Sequence, residues 1–261
     1  MRRIRFIFTT AFVCVLLASA YGQVPNLEPK FGPDRPVPTV SFEVAFPGVS
    51  AEHYVFAVES SGSTAYRSDN IGPEGLRESE LGEPYILEFT MSEATCARIF
   101  DLARQANFFK GEFSSVNGPV ENASVTTLTY REGPPFSYDD LITNVVHEST
   151  TYSFTRNPAL QELARIFEGI SNTIELGRRL EHLRQVDPLA VDPILARAEA
   201  GICNHPLLEL NVIRQSLQNA ANDSAMTRVS RERARQLLAL EKSPLQLAAA
   251  CGNRTQPFPE F

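Results

Sequence analysis

Residues that could do chemistry are thinly spread over this chain of 261 residues. The four histidines, His53, His147, His182 and His205, form no zinc motif. A zinc-protease helix carries two His four residues apart around a catalytic Glu, whereas His147-Glu148 is followed at position 151 by Thr. A serine hydrolase presents its nucleophile in Gly-x-Ser-x-Gly, and the nearest stretch, Ser60-Ser61-Gly62-Ser63, lacks that order. Phosphate-cradling loops need Gly-x-Gly-x-x-Gly or a Gly-Lys-Ser/Thr ending; neither occurs. Cys96 falls on an apolar stripe with Ile99, Phe100 and Ala103, with no cation nearer in sequence than Arg98. That setting favours a buried thiol over a thiolate nucleophile.

Carboxylates are more numerous. Glu74, Glu78, Glu80 and Glu83 crowd one polar stretch, and Asp139-Asp140 stand side by side. Neither has the Asp-x-Asp-x-Asp-Gly order of a calcium loop, and the first reads as solvated acidic surface. A glycosidase-type acid and base can come from distant positions, so an extracytoplasmic hydrolase using Asp or Glu remains the alternative function. Arg228, Arg231 and Arg235 recur at helical spacing, a face able to meet an acidic partner or lipid headgroups, but Glu232 interrupts them and an ordinary solvated face is the simpler reading. No catalytic residue, metal ligand or cofactor is assigned.

The first residues bear on compartment. Met1-Arg2-Arg3-Ile4-Arg5, an apolar run from Phe6 to Leu17 and Ala18-Ser19-Ala20 are the three parts of a secretory signal peptide. Cleavage is expected after Ala20, placing the mature chain in the periplasm or outside the cell. The apolar run is short for a membrane span, and no later segment approaches one. The signal peptide removes Arg2, Arg3 and Arg5 and no acid, moving the formal charge from −7 to −10. An acidic surface disfavours nucleic acid, whose affinity rests on Lys and Arg at phosphates; a protein partner stays open. Cleavage also removes Cys14, leaving Cys96, Cys203 and Cys251. In an oxidising compartment this suggests one pair and one buried thiol, Cys203 with Cys251, against three reduced and buried cysteines.

The elements that must position these side chains follow from periodicity. Residues 1–20 are the signal peptide, and 21–38 a proline-rich linker. From 39 to 186 an α+β domain is expected: an antiparallel sheet with two packed helices. Val40, Phe42, Val44 and Phe46 alternate with polar or small residues, the mark of a half-buried strand. Tyr54 to Val58 and Thr64 to Arg67 read as a hairpin around Ser-Gly, and Tyr85 to Thr90 as a fourth strand. Ser92 caps a helix expected to end near Phe108 and Phe109. Strands are predicted over Ser124 to Arg131, Ile142 to His147 and Thr151 to Thr155. Asn157-Pro158 opens a long helix with Leu160, Leu163, Phe167, Ile170 and Ile174 on one stripe, shifted in phase near Gly177. Residues 187–252 form an all-helical region, with starts at Asp187-Pro188, Asp192-Pro193, Asp223-Ser224 and Ser243-Pro244. A loose tail, 253–261, follows.

From Phe46 to Phe109 the order of strand, Ser-Gly hairpin with Tyr66, polar loop, strand and helix ending in Phe-Phe resembles a small bacterial secreted domain of unknown function. Its members usually carry Cys-x-Gly-x-Cys-Pro-x-Tyr before the hairpin. This chain has Phe46-Pro47-Gly48-Val49-Ser50-Ala51-Glu52-His53-Tyr54, in which Gly48 and Tyr54 correspond, the tyrosine displaced, and both cysteines are missing. The resemblance implies a folded extracytoplasmic module, and no functional residue carries over from it. With no catalytic constellation in the chain, a noncatalytic binding or structural module is the expected function.

Overall fold

The computed structural model describes residues 37–45, 53–69, 84–115, 123–133, 148–201 and 207–241. Six strands, β1 (Val37–Ala45), β2 (His53–Glu59), β3 (Ser63–Asp69), β4 (Tyr85–Thr90), β5 (Val125–Gly133) and β6 (Glu148–Tyr152), form one antiparallel sheet in the order β4-β3-β2-β1-β5-β6. The α-helices among the described residues are α1 (Glu93–Gln105), α2 (Pro158–Val186), α3 (Val191–Gly201), α4 (Arg214–Asn222) and α5 (Arg228–Glu241). The class is α+β, with helices the only elements among the described residues beyond β6, as the periodicity predicts.

Two-residue alternation sets the covered face of the sheet. Val40, Phe42 and Val44 of the central β1 are buried, and register carries that face outward: Phe42 lies opposite Phe56 and Leu128, and Phe56 opposite Tyr66. The β2–β3 hairpin turns through Gly62, whose φ is +89°; a Cβ there would lie 3.2 Å from the Met91 carbonyl oxygen, so this turn requires glycine.

α1 starts at Ser92, whose Oγ accepts from the Thr95 N–H at 3.3 Å, and buries Cys96, Ile99, Leu102 and Ala103. α2 starts at Asn157, whose side-chain oxygen accepts from the N–H groups of Ala159 (2.9 Å) and Leu160 (3.3 Å), while Pro158 sits where no N–H is needed. Its stripe of Leu160, Leu163, Phe167, Ile170 and Ile174 joins the sheet core, with Phe167 stacked on Phe42 at a centroid distance of 4.6 Å. Beyond Ile174 the same helix enters a second core, where Leu176 and Leu180 meet Val191, Leu195, Ile213, Leu217 and Leu237. Gly177 stands at the change of phase. A Cβ there would lie 2.3 Å from Ile213 Cγ2, so the 3₁₀ turn Leu210–Ile213 rests against the helix backbone.

Several local expectations are corrected. Pro38 is the second residue of β1, where its carbonyl accepts from Ser60 N–H at 2.9 Å, so the sheet begins inside the expected linker. β6 starts at Glu148 and ends at Tyr152, three residues earlier at each end than predicted. Thr155 instead makes a lone bridge to Ser114, freeing Asn157 to cap α2. The first helix stops at Gln105, and Asn107, Phe108 and Phe109 take φ of 50°, 53° and 66°. This left-handed turn, unfavourable for residues with a Cβ, is held by the buried Phe109 and by Phe108 against Tyr130 at 4.6 Å. Asp192 lies inside α3 rather than at its cap, and its carboxylate accepts from Arg233 at 2.7 Å. Asp223 closes α4, and Thr227 opens α5 by accepting from Ser230 N–H at 3.0 Å. The signal peptide with its Ala20 site, the strand through Ile142 to His147, Ser243-Pro244, the tail and both Cys203 and Cys251 lie outside the described residues.

Candidate functional site

A cavity of about 750 Å³ opens where the sheet, α2 and α3 meet. The sheet supplies Phe42 and Val44 from β1, Tyr54 from β2 and Thr126 from β5, with Ser124 just before that strand. These follow from register: Val44 is paired on one side with Tyr54 and on the other with Thr126. α3 supplies Ile194, Arg197 and Ala198, three and four residues apart and so on one face. α2 supplies Ala164, Glu168, Ser171, Asn172, Glu175, Leu176 and Arg179. These polar positions follow helical spacing and flank the apolar stripe that holds α2 to the sheet.

The deepest polar group is Glu175, which is 9% exposed. Its Oε1 accepts from the hydroxyls of Tyr66 (3.1 Å) and Ser68 (3.3 Å), and its Oε2 faces the Arg178 guanidinium at 3.6 Å. Ser171 Oγ is 3.2 Å from the same Tyr66 hydroxyl. Burial pushes the Glu175 carboxyl above its ordinary range, against the pull of Arg178 and the hydrogen bonds. Tyr66 is pushed far up by burial and by the Glu175 charge, and Tyr54 by burial and the nearby Glu168. Both phenols stay protonated and act as neutral hydrogen-bonding groups. Arg178 is spent on this network and on the Tyr85 ring, over which its guanidinium carbon lies 4.8 Å from the centroid. Arg179 differs: its Nε is shielded from solvent and has no hydrogen-bond partner among the described residues.

The cavity is therefore amphipathic and its charge is graded along α2. Glu168 and Arg179 are eleven residues apart, about 16 Å along the axis, and Arg197 of α3 adds a second cation to the wall.

The residues singled out from sequence lie elsewhere. Cys96 is buried with its thiol pushed up by desolvation, and its Sγ contacts the Glu59 carbonyl at 3.5 Å, as an inert core thiol would. His53 is clamped between Glu43 and Asp69, each 2.9 Å from a ring nitrogen. The arginine face of α5 is divided: Arg235 pairs with Glu232 at 3.2 Å and donates to the Ala221 carbonyl at 3.1 Å, while Arg231 is half-buried. His147, His205, the acidic stretch Glu74 to Glu83 and Asp139-Asp140 lie outside the described residues. Among the described residues no group of three or more His, Cys, Asp or Glu is placed to hold a metal, and no helix is long and apolar enough to cross a membrane.

Sequence reasoning missed the α2 polar row. One signal was present: Ser171, Thr173 and Glu175 interrupt a helical segment bounded by Ile170, Ile174 and Leu176, and all three are buried. Buried polar residues in mid-helix call for partners on a neighbouring element or a ligand. No protein-family model matches this chain, and no curated protein matches it.

Proposed function

We propose that this is a noncatalytic extracytoplasmic binding module, secreted or periplasmic, whose cavity between β1, α2 and α3 takes a small amphipathic molecule. The observation that carries the reading is the cavity itself. At about 750 Å³ it falls within the roughly 300–1,000 Å³ of small-ligand sites, and it pairs apolar walls with a few fixed polar groups. The N-terminal Arg-rich, apolar and Ala-Ser-Ala segments support export, and the acidic charge speaks against nucleic acid.

One observation favours the alternative, an acid–base hydrolase: the raised Glu175 carboxyl in the cavity wall. Its Oε1 is occupied by two hydroxyls and its Oε2 faces the Arg178 guanidinium, so this carboxylate reads as part of a fixed polar wall.

The test is saturable one-to-one binding of a neutral fluorescent probe, Nile red, to the mature protein and to Ala198→Phe, which fills the cavity from α3. Binding to the parent and its loss in the variant, with the fold retained by circular dichroism, is the expected result. Absence of saturable binding, or equal binding by both proteins, overturns the cavity reading. N-terminal sequencing of exported protein should begin at Tyr21.

A further inference from the structure

Resting on the binding reading above, we infer that the ligand is a monocarboxylate with an apolar body, and that Arg179 receives its carboxylate. Glu175 is engaged by Tyr66, Ser68 and Arg178, so its charge and its Oε1 are already committed within the protein. Arg179, one turn further along α2, lies close enough to influence the Glu175 carboxyl, yet no hydrogen bond to it forms. Its Nε is out of solvent, as are those of Arg184 and Arg231, so a ligand can reach only the terminal nitrogens of the guanidinium. Arg179 lines the cavity and makes no ion pair among the described residues, and a carboxylate matches the fork of its two terminal nitrogens. Arg197 on the facing helix brings a second cation to the wall.

The remaining walls define the rest of the molecule. Phe42, Val44, Leu176, Ile194 and Leu207 are apolar, so the body of the ligand is hydrocarbon. A second anionic group at the far end would meet Glu168, three turns from Arg179 and itself negatively placed beside Tyr54. Dicarboxylates are thereby disfavoured, and a single head group with a chain shorter than about 16 Å spans the available length.

The experiment displaces Nile red from the mature protein with decanoate, methyl decanoate, 1-decanol and decylamine below their aggregation limits, at pH 7.5. It is repeated on Arg179→Met, which keeps the apolar stem of the side chain, and on Arg235→Gln as a surface control. The expected result is decanoate binding at least tenfold tighter than the ester, alcohol or amine. That preference should vanish in Arg179→Met, which still binds decanol, and persist in Arg235→Gln. Equal binding of decanoate and decanol by the parent overturns the carboxylate assignment and leaves the binding reading standing. A decanoate preference that survives in Arg179→Met places the anion elsewhere and also overturns it. If neither Nile red nor any decyl compound binds, both readings fall. Should Arg179→Met not fold, the head-group series on the parent decides alone.

Discussion

The sheet core and the helical core share one helix, α2, yet they cohere by different means. Large rings fill the first: Phe42, Phe56, Tyr66, Phe109 and Phe167 are almost fully buried, and Tyr66 is fixed by hydrogen bonds to Ser171 and Glu175. The second is built from Leu, Ala, Val, Ile and Met, with a helix backbone bare at Gly177 against Ile213. Its charged groups stay near the surface, as in Arg233 with Asp192 (2.7 Å) and Arg184 with Glu181 (2.9 Å). One core is thus specified by ring stacking and a buried polar network, the other by close approach of backbones. The cavity lies where the two ways of packing meet.

A feature of composition makes the difference measurable. The tyrosines among the described residues, Tyr54, Tyr66, Tyr85, Tyr130 and Tyr152, all stand on strands of the sheet, and the chain has no tryptophan, so their fluorescence reports the sheet side, whereas the 222 nm circular dichroism is dominated by the helices. The largest effect is expected from Phe167→Ala. It removes a fully buried ring stacked on Phe42 (4.6 Å) and packed on Phe56 (5.3 Å), and should cost about 3–5 kcal/mol in urea titrations followed by tyrosine. A loss below about 1 kcal/mol would mean that the ring stack is not what holds α2 to the sheet.

Gly177→Ala probes the other core. Helix propensity alone would favour Ala by about 1 kcal/mol, but the new Cβ would stand 2.3 Å from Ile213 Cγ2 and 2.9 Å from Ile213 Cβ. Ile213 is only 4% exposed and cannot swing away, so overpacking of about 1–3 kcal/mol should dominate. The transition at 222 nm should shift further than the tyrosine transition. In an Ile213→Ala background, where Cγ2 is absent, the same substitution should cost less or stabilise. Equal costs in both backgrounds would show that the contact does not set the approach of the two segments.

These two positions also show what sequence can and cannot carry. The stripe from Leu160 to Ile174 and the alternation in β1 are local patterns, so the sheet, its hairpin and both covering helices were legible from spacing and caps alone. Gly177 registered only as a change of phase, because the partner that makes a glycine necessary, Ile213, is thirty-six residues away. Asp192 and Asp223 misled for a related reason: a short acid can cap the helix after it or serve a distant arginine, and Arg233 and Arg184 claim these two. The cavity was invisible because its wall comes from three elements, and Glu168, Asn172 and Arg179 read singly as ordinary polar positions on an amphipathic helix.

A smaller effect tests how firmly the two regions are tied. Glu209, in a left-handed conformation with φ of 57°, reaches from the segment entering the helical core to the start of α1. There its carboxylate accepts from Ser92 N–H (3.0 Å), Ser92 Oγ (2.6 Å) and Thr95 Oγ1 (2.5 Å). It completes the helix cap as an anion supplied from 114 to 117 residues away. Glu209→Ala should cost about 1 kcal/mol, and it should widen the gap between the tyrosine and 222 nm midpoints. An unchanged separation of the two midpoints would mean that α2 alone couples the cores.

The smallest expected effect separates the regions by pH. His53 ends β2 with Nε2 at Glu43 and Nδ1 at Asp69, each at 2.9 Å. A neutral imidazole has one N–H and would turn a lone pair to one carboxylate, so this geometry requires the imidazolium. The hydrogen bond to Glu43, and then that to Asp69, hold the His53 pKa above its ordinary 6.5 despite partial burial. The same bond to His53 holds Glu43 below 4.5. The His53 contribution is complete below pH 6.5 and lost as pH rises through its raised folded value. The Glu43 contribution is complete above pH 4.5 and lost as pH falls through its lowered value. The tie is therefore strongest between pH 4.5 and 6.5. Because the groups are partly exposed, it should be worth under about 1 kcal/mol and weaken in salt. His53→Gln should lower the tyrosine-detected urea midpoint at pH 5.5 and change it much less at pH 8.5. The buried Glu175, common to both proteins, cancels in that difference. The ion pairs Arg184–Glu181, Arg184–Asp223, Arg233–Asp192 and Arg233–Glu199 of the helical region contain no histidine, so the 222 nm midpoint should carry less of the His53 effect. An equal penalty at both pH values would show that His53 acts through its shape, and the contrast in how the two regions respond to protons would disappear.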